Sequence, residues 1–79
     1  MANMNLEDLI SLISVSANIK IKDLNINSCA NDFDKWDSLA HVRIMLAIEN
    51  KIKIKISTSK MSELNSVKSI LTYLKYLAY

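Results

Sequence analysis

Along this chain the apolar positions keep a helical rhythm in three stretches and a strand-like rhythm in one short run. Leu6, Leu9, Ile10 and Ile13 recur at helical spacing, predicting a first helix from near Asn3 or Asn5 to about Val15. Glu7 and Asp8 fall in its first turn, where carboxylates suit the positive end of the helix dipole. From Ser16 to Lys35 the rhythm fails, and "ANIKIKDLNINSCANDFDK" reads as a long loop. Such loops are uncommon unless they pack or function, so Ile19, Ile21, Leu24, Ile26 and Phe33 are expected to pin it to the core. A second helix is predicted from Asp37 or Ser38 to about Lys51, and a short helical turn around Met61 to Leu64. The last helix opens with Ser66 as its cap and carries Val67, Ile70, Leu71, Leu74 and Leu77 on one face.

"KIKIKI", from Lys51 to Ile56, alternates strictly, which is the signature of a half-buried strand. Its only candidate partner, "IKIK" at Ile19 to Lys22, is short, and an isolated two-stranded ribbon is marginal. Residues 53 to 60 are therefore read as an extended connection with alternate isoleucines facing inward, a strand being the alternative. The expectation is an all-α fold in a single domain over residues 1–79, without repeats or internal boundaries.

Composition narrows the picture. The 79 residues include no glycine and no proline, so tight turns and helix ends must fall to Asn, Asp or Ser. That suits helices joined by polar loops and disfavours hairpins. Cys29 is the only cysteine, expected to be passive and partly buried, and a lone thiol fits a reducing cytosol. No metal-ligand set is read, and His41 is the only histidine. A formal charge of +2 does not compel a nucleic-acid partner. No run reaches membrane-spanning length and "MANMNLEDL" lacks signal-peptide character, so a cytoplasmic location is expected.

Projection of the second helix at about 100° per residue separates two apolar stripes. Ile44, Met45, Ile48 and Ile52, with His41 at the edge, form the broad face expected to meet the core. Leu39, Val42 and Leu46 form a second stripe, flanked by Arg43 and Asn50 on one side and Glu49 on the other. Either the helix is buried on most sides or that second stripe docks a partner. Ser38 lies near it and has three possible roles. It could cap the helix, although Asp37 is better placed. It could be a nucleophile, yet no glycine-bearing elbow accompanies it and only His41 is available as a base. It could also be modified, since a helix N-terminus offers free N–H groups and a positive dipole to a phosphate.

"WDSLAHVRIMLAIEN", followed by "KIKIKIS" and the closing "SVKSILTYL", resembles the acyl carrier protein family. The D-S-L signature falls at Asp37, Ser38 and Leu39, and the pattern of helices covers nearly the whole chain. The resemblance implies a right-handed four-helix bundle with a long loop between helices 1 and 2 and a short third helix. It implies 4′-phosphopantetheine on Ser38, attached from coenzyme A by a phosphopantetheinyl transferase that reads Asp37 and Leu39 as signature positions. The arm would carry an acyl or aminoacyl group as a thioester between acyl-activating and acyl-transferring enzymes. Leu39, Val42, Arg43, Leu46 and Glu49 would then be docking positions. On this reading the chain is a monomeric carrier and not an enzyme, and it needs neither nucleic acid nor membrane.

The charged rim departs from the family pattern. Fatty-acid carriers present carboxylates along this helix, whereas Ala40, Arg43, Asn50, Lys51 and Lys53 stand here and only Glu49 keeps its acid. A reversed charge repels partners built for the usual one. A dedicated carrier for a specialised biosynthetic pathway is therefore expected, and Trp36 before the signature points the same way. Two alternatives stay open. One is a small helical nucleic-acid-binding module using lysines 51, 53, 55 and 60. The other is a structural interaction module in which Ser38 only caps its helix.

Overall fold

Asn5 begins the first helix because its side chain can replace the missing turn. Its Oδ1 accepts from the Asp8 N–H at 2.8 Å while Asp8 reaches back to the Asn5 N–H, a reciprocal capping box. The structure is a computed structural model that describes residues 4–78, so an origin at Asn3 lies outside the described residues. Helix α1 (Leu6–Ala17) ends at Asn18 in the left-handed conformation, φ 57°. Asparagine tolerates that region, taking the place glycine has elsewhere.

Helix α2 (Ser38–Ile52) is capped by Asp37, whose carboxylate accepts from the Ala40 N–H at 2.9 Å. It closes on Lys53 at φ 61°. Lysine thus takes a left-handed cap expected to fall to Asn, Asp or Ser. Helix α3 (Thr58–Glu63) is capped by Ser57 and begins earlier than the turn expected at Met61. Helix α4 (Val67–Ala78) follows Ser66, whose hydroxyl accepts from the Ser69 N–H. Among the described residues there are four α-helices and no strand, an arrangement compatible with a helical bundle.

The alternating isoleucines resolve without a sheet. Ile52 belongs to the last turn of α2, and only residues 54–57 connect it to α3. Ile52 and Ile56 are buried and Ile54 partly so. The Ile56 N–H finds Glu49 Oε2 at 2.7 Å instead of a neighbouring strand.

One buried cluster joins Leu9 and Ile13 of α1, Ile44, Met45 and Ile48 of α2, and Val67, Ile70 and Leu74 of α4. Each such side chain contributes about 1.5–3 kcal/mol on leaving water. Helix α1 packs on both α2 and α4. The segment between α1 and α2 carries two 3-10 turns, Ile21–Asp23 and Ala30–Asp32. Ile19 and Leu24 from it are buried and Ile26 and Phe33 partly so, but Ile21 is exposed, contrary to its expected anchoring role. Backbone bonds tie this segment to the start of α4, Ala30 N–H to Asn65 O and Val67 N–H to Ser28 O, forming a Cys29–Ser66 bridge. Backbone groups in that bridge are paired, but the Cys29 side chain is exposed, not partly buried as its composition class suggested.

Candidate functional site

The N-terminal end of α2 gathers the residues that the sequence singles out. Asp37 occupies the cap, so Ser38 is the first helical residue and its hydroxyl is released from capping. The side chain is exposed, and its Oγ makes no hydrogen bond to another described residue. Two backbone donors remain available beside it. Ala40 N–H is taken by Asp37 Oδ1 and His41 N–H by Asp37 O, whereas the Ser38 and Leu39 N–H groups precede the helical ladder. A phosphate on Ser38 Oγ would meet those donors and the positive end of a four-turn helix. The Asp37 carboxylate opposes it, partly spent on its own cap bond.

His41 is not aimed at this hydroxyl. Trp36, only 3% exposed, donates its Nε1–H to His41 Nδ1 at 3.0 Å. Indole can only donate, so Nδ1 must accept and the proton sits on Nε2. Nε2–H in turn donates to the Met61 carbonyl at 2.8 Å. Both ring nitrogens are therefore occupied, and Ser38 and His41 do not form a nucleophile–base pair. The imidazole instead joins the residue before Asp37 to α2 and α3, a role its place on the core edge did not reveal.

The two stripes of α2 separate as the projection divides them. Ile44, Met45, Ile48 and Ile52 are buried. Leu39, Val42 and Leu46 are 60%, 48% and 54% exposed, an unpartnered apolar row leading away from Ser38. Arg43 and Asn50 beside it are exposed. Glu49 on the other edge is half-buried, and one carboxylate oxygen is held by the Ile56 N–H. The structure thus brings Asp37, Ser38, Leu39, Val42, Arg43 and Leu46 onto one accessible side, with Glu49 turned partly to the connection.

Beyond the projected helix lies a surface hollow of about 410 Å³, lined by Leu46, Glu49, Asn50, Lys53, Ile54 and Lys55. No helical projection finds it, because the helix ends at Lys53 and Ile54 and Lys55 lie beyond it. A second cleft, about 840 Å³, lies between α3 and α4 and includes Lys60, Leu64, Tyr73 and Tyr76. Neither Ser38 nor the exposed stripe contributes to it. Lys60 is already engaged there, 3.2 Å from Glu63 and over the Tyr73 ring at 5.4 Å. Among the described residues no cluster of His, Cys, Asp and Glu could hold a metal, and no helix is long and apolar enough to cross a membrane. No protein-family model matches this sequence, and no curated protein is detectably similar to it.

Proposed function

We propose that this chain is a carrier domain of the acyl-carrier type, its helices forming that family's bundle, with Ser38 receiving 4′-phosphopantetheine. The observation that carries the reading is the hydroxyl of Ser38. It stands exposed at the first position of α2, relieved of capping by Asp37 and unused by the fold. A serine kept only to start the helix would be redundant beside that aspartate. The adjoining apolar row gives a transferase, and later enzymes, a surface to grip while the hydroxyl is presented.

Loading would join Ser38 Oγ to the pantetheine-side phosphorus of coenzyme A as the pyrophosphate bond breaks. The serine proton is lost and adenosine 3′,5′-bisphosphate departs. Bound in this way, the arm supplies a thiol for thioester chemistry, while the protein supplies position and recognition. Asp37 and Leu39 flank the attachment point, the first fixing the helix start and the second opening the docking row. The cationic character of the rim supports a dedicated biosynthetic pathway over housekeeping fatty-acid synthesis.

A fluorescent coenzyme A analogue with a broad-specificity transferase tests the assignment. Wild type should take up the label and Ser38→Ala should not. Equal labelling of both proteins, or no labelling of wild type, would contradict it.

A further inference from the structure

From the charges around the exposed row, we propose that the partner docking on α2 is a protein with an apolar knob ringed by Asp and Glu. This rests on the docking role just assigned to Leu39, Val42 and Leu46, and adds the chemistry of what binds there.

On the side of the row, between Asp37 and Lys55, stand three cations, Arg43, Lys53 and Lys55, against two carboxylates, Asp37 and Glu49, a net of +1, while Lys51 projects to the opposite side of α2. Each carboxylate gives one oxygen to a backbone N–H, Asp37 to that of Ala40 and Glu49 to that of Ile56. Arg43, Lys53 and Lys55 are exposed, and the ion pair described above is made by Lys60, not by any of them. A partner approaching this side therefore meets cations free to pair and acids already partly satisfied.

The hollow at the C-terminal end of the row fixes the shape of the match. Leu46 and Ile54 give it apolar lining, and Lys53 and Lys55 line it together with Asn50 and the single acid Glu49. An apolar side chain entering beside Leu46 places its neighbours against those two lysines, and Arg43 meets a third contact further along the row. Nucleic acid fits less well. Phosphate binding needs dense positive charge and no apolar row, whereas three large side chains here are about half exposed. Complementary rims of this sort set partner choice and encounter rate more than ultimate affinity.

Two designed amphipathic helical peptides test this. They share one Leu/Phe face and differ only in carrying Glu or Lys along its flanks. In amide-resolved NMR titrations of the full chain, the Glu peptide should shift residues 39–46 and 53–55 and bind about tenfold more tightly than its Lys twin. The preference should shrink as salt rises and reverse in R43E/K53E/K55E, whose circular dichroism reports whether the fold is kept. Ser38→Ala should keep the preference, so failure of arm loading and failure of this match are separable. Equal affinity, a Lys preference, no shift with either peptide, or tighter binding at the same residues by duplex DNA or anionic vesicles would overturn the proposal.

Discussion

Lys53 occupies a backbone conformation that β-carbons resist, φ 61°, in a chain without a single glycine. A left-handed non-glycine residue costs about 1–2 kcal/mol. Lys53→Gly should therefore raise stability by about 0.5–1 kcal/mol in urea unfolding, while weakening binding of the Glu peptide. A loss of stability would mean that the lysine side chain supports the turn. Asp37 and Ser38 are separated by the same kind of experiment. Asp37→Ala should cost about 1 kcal/mol through loss of the cap, whereas Ser38→Ala should stay within about 0.5 kcal/mol. The reverse order would make Ser38 the cap and remove the main support for its modification. Trp36→Phe deletes the donor to His41 Nδ1 and leaves a part-buried acceptor unpaired, which should cost about 1–3 kcal/mol. These residues differed in legibility. Asp37 as cap could be read from the chain, because capping is local. The Trp36–His41–Met61 connection could not, because it joins positions 20 residues apart in sequence.

At the scale of elements, α2 was the most legible, since its two apolar stripes differ in angle and only one can face α1. Ile48→Ala should cost about 2–5 kcal/mol by opening a cavity, while Leu46→Ala should change stability by no more than about 0.5 kcal/mol. Similar losses at both positions would show the second stripe to be packed. The run after α2 was misleading for a physical reason. Its alternation combines one isoleucine from a helical turn with two from the short connection, so a period of two arises without a strand. Helix α3 starts earlier than its apolar residues suggest, because Met61 and the C-terminal cap Leu64 are the visible signals while Ser57, a polar cap, sets its start. Ile21 was expected inside because it is apolar, yet it sits in a 3-10 turn that turns it to solvent.

Across the whole molecule, the segment from Asn18 to Asp37 is held by separate ties: the buried Ile19, Leu24 and Trp36, the Cys29–Ser66 bridge and the Trp36–His41 bond. That arrangement fixes the start of α2, and so the position of Ser38, from outside the helix itself. The all-helical class followed from composition and periodicity. The pairing of that segment with the start of α4 did not, because backbone bonds leave no residue pattern. Function rests on a narrower base, an available hydroxyl beside an unpartnered apolar row. Intact-mass spectrometry after incubation with coenzyme A, Mg²⁺ and a broad-specificity transferase tests it most directly, with peptide mapping of the product. Wild type should gain a single phosphopantetheine, localised to Ser38, and Ser38→Ala none. An unchanged wild-type mass, or the same gain on Ser38→Ala, would contradict it.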